Sequence, residues 1–134
     1  MKIVIDARFL GAPIGIGRYV GGLVKELENL IEAKHRSDFK ADFDTSSIEA
    51  KLPPQARHEA SLQFVVLVSK EGWKKWEPKN PHFKKKLVNA RWYTMREQFA
   101  LARALGEEKP DLVHFPHWNI GYFWRGPFIV TIHD

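Results

Sequence analysis

Five consecutive apolar residues, Phe64-Val65-Val66-Leu67-Val68, constrain the fold of this chain more than any other segment. Successive side chains on an extended strand point to opposite faces, so a run with no polar position needs cover on both sides. Its valines favour a strand over a helix, and it is far too short to span a bilayer. Three further segments read as strands: Lys2 to Ile5 ahead of Asp6, Asp111-Leu112-Val113-His114-Phe115, and Phe128-Ile129-Val130-Thr131-Ile132, the last two as buried ones. Leu87-Val88 reads as a further short strand. Helical patterns lie between them. From Ile16, apolar residues fall at Val20, Leu23, Val24, Leu27, Leu30 and Ile31, which is helical spacing with one buried face. Trp92, Met95, Phe99 and Ala102 mark a second helical face, with Gly106 as its stop and Pro110 beyond. Strands alternating with helices predict an α/β fold, a Rossmann-like parallel sheet with helices on both faces.

At 134 residues the chain forms one domain with a real core and is too short for two full α/β domains. Residues from about Lys34 to Ser61 are polar, with Thr45-Ser46-Ser47 and Pro53-Pro54, and are expected to form a long surface insert. The absence of cysteine excludes disulfides and thiolate metal sites and fits a reducing, cytoplasmic setting. Asp6 and Arg8 interrupt the first apolar run, against a signal peptide. The net charge of +5 is local: seven lysines and two glutamates between Lys70 and Lys86 account for all of it. That pattern argues against a nucleic-acid binder and for one basic surface, read here as a loop.

Four motifs carry candidate chemistry. Gly11-Ala12-Pro13-Ile14-Gly15-Ile16-Gly17 links the first strand to the first helix. It matches neither a dinucleotide fingerprint nor a P-loop, so a phosphate-binding turn at a helix N-terminus and a merely tight turn both stand. The Gly21-Gly22 pair weakens that helix and suggests close packing or a ligand near its first turns. In His114-Phe115-Pro116-His117-Trp118-Asn119, the proline breaks any helix that would pair the histidines on a metal. Strand-end histidines hydrogen-bonding to hydroxyls fit better, with Trp118 offering a flat face to a sugar ring or another apolar partner. His114 itself reads as a core histidine. His133-Asp134 combines acid–base groups at a strand end, though neighbours on a strand face opposite ways. Trp73-Lys74-Lys75-Trp76 suits an anionic membrane interface, or two tryptophans folded onto the domain edge among solvated lysines. Asp42-Phe43-Asp44 lies in the polar insert and reads as a chance match to a metal-binding Asp-x-Asp.

Together these blocks resemble a known family. The opening Ile5-Asp6-Ala7-Arg8-Phe9-Leu10, the Gly15-Ile16-Gly17-Arg18-Tyr19 helix start, Arg91-Trp92-Tyr93-Thr94 with Glu97-Gln98, the Pro110 to Asn119 block and Val130-Thr131-Ile132-His133-Asp134 are similar to the N-terminal domain of group 1 (family 4) retaining glycosyltransferases of GT-B fold. The likeness is poor across the polar insert. It implies an acceptor-side domain that works with a C-terminal domain gripping a sugar nucleotide, the acceptor being a glycan or a lipid-linked sugar. Gly15, Ile16 and Gly17 would lie by the donor diphosphate. His133 would reach the donor sugar near the reacting carbon, and His117, Trp118, Asn119 and Asp134 would meet the acceptor or sugar. No metal and no cofactor beyond the nucleotide sugar would be required. The family's paired glutamates, with seven residues between them, have no counterpart here, so the chain is expected to be a fragment or isolated domain, inactive alone and prone to pair with itself. The competing reading is a small non-catalytic Rossmann-like module that binds a nucleotide or a protein.

Overall fold

The structure is a computed structural model that describes residues 1–35, 62–90 and 93–133. It holds a five-stranded, all-parallel sheet in the order β3-β2-β1-β4-β5. The elements run β1 (Lys2–Asp6), α1 (Gly15–His35), β2 (Gln63–Val68), α2 (Lys70–Lys75), β3 (Phe83–Leu87), α3 (Met95–Glu108), β4 (Leu112–Phe115) and β5 (Phe128–Val130). The fold is the expected α/β, Rossmann-like one. The polar insert lies outside the described residues, except that α1 continues to His35.

β1 is central, with Val4 beside Val65 of β2 on one side and Val113 of β4 on the other. Alternation divides the apolar side chains into two cores. Ile5, Phe64, Val66 and Val68 face Val20 and Val24 of α1, with Ile16, Leu27 and Ile31 at the margin. Val4, Val65, Leu67, Val113 and Phe115 face Leu101, Ala104 and Leu105 of α3. β2 is buried on both faces, as its unbroken apolar run requires.

α3 presents a different face from the expected one. Met95 and Phe99 are exposed, while Glu97, Gln98, Leu101, Ala104, Leu105 and Glu108 point inward. Trp92 lies outside the described residues. The polar members of the inward face are satisfied: Gln98 accepts from the Tyr122 N–H at 2.8 Å and donates to the Ile120 carbonyl at 3.3 Å. Polar residues with fixed partners therefore outrank two apolar ones in setting the helix azimuth.

The basic stretch is not a loop. Its first part is α2, capped by the Ser69 hydroxyl, and its lysine triplet lies inside edge strand β3, which spans Phe83–Leu87 rather than Leu87-Val88. Alternation sends Lys84 and Lys86 to the α3 face, where Lys84 meets Glu108 at 2.9 Å and Lys86 meets Glu107 at 2.8 Å and Glu108 at 3.0 Å. Hydrogen bonds from Lys86 and then Arg103 hold the Glu107 carboxyl down at about 2. Lys85 turns the other way, to Glu77 and to the Trp73 and Trp76 carbonyls. β5 departs too: it is three residues long, and Phe128, Ile129 and Val130 are all exposed rather than buried.

Two substitution pairs check this packing by urea denaturation. Leu101→Ala empties a buried site and is expected to cost about 2–5 kcal/mol, whereas Phe99→Ala on the outer face should cost under about 1 kcal/mol. The reverse order would restore the other helix face. Gly17→Ala would place its Cβ 2.3 Å from the Ala12 carbonyl oxygen and 2.8 Å from that of Phe9, while at Gly15 it would meet nothing within 4 Å. Gly17→Ala should therefore cost about 1–3 kcal/mol, and Gly15→Ala should stay within roughly 0.5 kcal/mol.

Candidate functional site

The strand order reverses at β1 and β4, so the crevice beyond their carboxyl ends is the topological switch point of the sheet, where α/β folds bind ligands. Its floor is a buried ion cluster. Arg8 grips Asp6 with two hydrogen bonds of 2.6 Å, Nε to Oδ1 and Nη2 to Oδ2, and gives Nη1 to Glu97 Oε1 at 2.7 Å. All three are almost fully buried. Glu97 also accepts from Asn119 Nδ2 at 2.8 Å and from the Tyr93 N–H, and its own N–H is capped by the Thr94 hydroxyl at 3.2 Å. Desolvation works against the charge on Arg8, but Asp6 and then Glu97 outweigh it and raise its pKa. No buried side-chain nitrogen or oxygen among the described residues lacks a partner.

Above this floor the loops after β1, β4 and β5 meet the first turns of α1. The Phe9 and His117 rings are 5.2 Å apart, and Tyr19 of α1 meets His133 edge-on at 4.7 Å. His117 Nδ1 accepts from the Asn119 N–H at 3.1 Å, which leaves the neutral ring its proton on Nε2. His133 Nε2 donates to the Pro116 carbonyl at 3.1 Å, which frees Nδ1. Burial, and then the proximity of His133, lower the His117 pKa below its ordinary 6.5, against a smaller opposing pull from Asp6. The crevice thus holds one imidazole N–H and one imidazole lone pair, a set suited to hydroxyl groups.

Of the residues singled out from the sequence, His117, Asn119 and His133 come together with the helix start. Trp118 is turned outward and stacks on Tyr93 at 5.7 Å. Asp134 lies outside the described residues, as do Asp42 and Asp44. His114 is half-buried and bonded to the Thr131 hydroxyl at 3.0 Å. Gly17 is there for close packing, whereas Gly15, Gly21 and Gly22 face open space. Ile16 packs on the α1-side core. The Trp73–Trp76 segment packs against the outer side of the loop after β1, at Leu10 and Gly11. Lys85 stands 4.3 Å over the Trp73 ring, Trp76 turns inward to give Nε1 to Glu28 at 3.3 Å, Lys75 donates to the Gly11 carbonyl, and Lys74 is exposed. A groove of about 440 Å³ runs between α1 and residues 75–80, lined by Gly21, Lys25, Glu28 and Trp76 among others. Among the described residues, no helix is long and apolar enough to cross a membrane, and no three His, Asp or Glu side chains gather as ion ligands.

The ion cluster and the Phe9 and Tyr19 rings are what sequence reasoning missed as site components. Two signals were present. Asp6 and Arg8 are two apart, hence on one side of an extended segment, and Thr94-x-x-Glu97 has capping-box spacing.

Arg8→Met would leave two buried carboxylates without their cation, and should cost about 3–5 kcal/mol in urea denaturation; a cost below about 1 kcal/mol would show that the pair is solvated. A pH effect follows from His117 and from His114, whose pKa burial also lowers. Below about pH 6.5 the unfolded chain takes up protons that the folded one resists. Stability should be full above that value and fall as pH drops toward the folded pKa values. Replacing both with glutamine should flatten the fall between about pH 6.5 and 5.

Compared with protein-family models, curated proteins and solved structures, the chain matches none of them, so the geometry of the crevice carries the functional reading.

Proposed function

We propose that this chain is the acceptor-side domain of a retaining glycosyltransferase, which moves a sugar from a sugar nucleotide to a glycan or lipid-linked acceptor. The observation that carries the reading is the meeting of three sequence-distant blocks at one switch point: the α1 start with Tyr19, the segment His117 to Asn119, and His133. Each block belongs to the family resemblance in the sequence.

On this reading the donor diphosphate approaches the α1 N-terminus over Gly15, whose bare backbone leaves room for it. The imidazoles of His117 and His133 hold sugar hydroxyls, and His133 does so nearest the reacting carbon. The leaving phosphate helps take the acceptor proton, so no protein nucleophile is assigned. A second α/β unit grips the nucleotide, and both walls of the cleft must be placed before the transition state is stabilised.

The test is nucleoside diphosphate release and sugar transfer from a panel of sugar nucleotides, by the full-length enzyme or by this chain joined to its donor-binding unit. His133→Ala should lower kcat at least tenfold, roughly 1.4 kcal/mol, and much more than it lowers stability in urea, because a hydrogen bond made in the transition state acts on turnover. Gly15→Ala should impair donor use while leaving the fold intact. The 134-residue chain alone should transfer nothing; transfer by it alone would overturn the division between two units. Nucleotide binding without transfer in every assembly would favour the non-catalytic module.

A further inference from the structure

The outer face of α3 carries side chains that a solvated helix has no use for. Met95 and Phe99, one turn apart, are 63% and 61% exposed. Phe99 stacks on Phe123 at 5.1 Å, beside Tyr122, which is 66% exposed. At the head of the helix Tyr93 stacks on Trp118, and both rings are more than half exposed. Tyr93 has φ 57°, a left-handed conformation costly for a bulky residue. Its N–H is fixed by Glu97, so the buried cluster holds an aromatic outward in a strained position.

Among the described residues, the charges that this face leaves without an ion-pair partner are cationic. Arg96 lies on the exposed side of α3 and Arg125 follows Phe123 closely, whereas Arg103 is paired with Glu107. Between Tyr93 and Gly106 the sole carboxylate is Glu97, buried against Arg8. The next, Glu107, is held between Arg103 and Lys86. An apolar shelf rimmed by arginine matches a surface that is both apolar and anionic. A bilayer interface containing acidic lipid has those two properties: rings settle at headgroup depth and guanidinium groups meet phosphates. A second copy of the chain would bring the same positive rim against itself, which disfavours pairing through this face. The Trp73–Trp76 segment is a poorer fit, because Trp76 is turned inward and Lys84, Lys85 and Lys86 are already paired.

We propose that the outer face of α3, with residues 118–125, docks onto an anionic lipid surface. Trp118 borders both this shelf and the crevice, so docking sets His117 at the edge of the bilayer. That the acceptor is itself lipid-linked rests on the glycosyltransferase reading; the docking does not.

Vesicle co-sedimentation of the chain tests it, with vesicles of phosphatidylcholine alone and with about one third phosphatidylglycerol, at salt concentrations below and above physiological. Binding is expected to the anionic vesicles only, with release as salt rises. Arg96→Ser and Arg125→Ser should each weaken it about fivefold. Met95→Ser with Phe99→Ser should weaken it at least about tenfold even at low salt, since the apolar contribution is lost. Trp73→Ser should leave it unchanged. All these positions are exposed, and unchanged urea midpoints confirm folding. No binding to anionic vesicles at low salt, equal binding to neutral ones, or loss with Trp73→Ser but not with Met95→Ser and Phe99→Ser overturns the proposal. So does a dimer in light scattering that Met95→Ser with Phe99→Ser dissolves, which would assign the face to a second copy. Sugar transfer is not the readout, so this proposal and the glycosyltransferase reading fail separately.

Discussion

One guanidinium holds three distant parts of the chain in register. Arg8 follows β1 and binds Asp6 at the end of that strand and Glu97 in the first turn of α3, while Asn119, beyond β4, completes the Glu97 carboxylate. One cation and two anions leave the cluster one negative charge in excess, and the Tyr93 and Asn119 N–H donors offset it. Well-packed apolar residues in place of such a cluster are often at least as stabilising. Its distinct contribution here is geometric. With Glu97 fixed inward, Leu101, Ala104 and Leu105 face the sheet, Met95 and Phe99 face out, and the β4 loop is set at the height that brings His117 to Phe9.

The fold was legible where one short segment decides its own burial. An unbroken apolar run has a single reading, so β2 and the parallel sheet followed from Phe64 to Val68, and α1 followed from its spacing. His117 and His133 were legible because strand ends in a parallel sheet share one edge. The azimuth of α3 was not, because two of its faces carry apolar residues and the choice depends on Arg8, 89 residues from Glu97 in sequence. β3 was hidden for the same reason. Three lysines look like a solvated loop until Glu107, Glu108 and Glu77 are placed beside them. In both elements polar groups satisfied from afar overrode the local pattern, which is where single-sequence reasoning has least purchase.

The glycines divide along similar lines. Gly17 is explained within the chain, since the first turn of α1 passes against the Phe9 and Ala12 carbonyls. Gly15, Gly21 and Gly22 are not, since each would admit a Cβ without contact. A helix-interior glycine costs about 1 kcal/mol relative to alanine, so the unpacked pair is a standing cost to the fold. Close packing among the described residues, one explanation for Gly21-Gly22, is thereby removed, leaving approach by something beyond them as the other. Gly21 does line the groove beside Trp76, but that groove is separate from the histidine crevice.

The two edges of the sheet are treated differently, and the contrast bears on where a second unit would sit. β3 is guarded: its three consecutive lysines point to both faces and are tied to neighbouring carboxylates, a common defence of an edge strand. β5 is not guarded. It is short, but Phe128, Ile129, Val130 and the following Ile132 are exposed apolar residues with no charge among them. A contiguous apolar edge of this kind marks a surface made for cover rather than for water. His133 lies just past β5, bonded to the Pro116 carbonyl within the crevice. On the proposed reading the donor-binding unit must reach His133 to complete the cleft, and the unguarded edge is therefore the one beside the site.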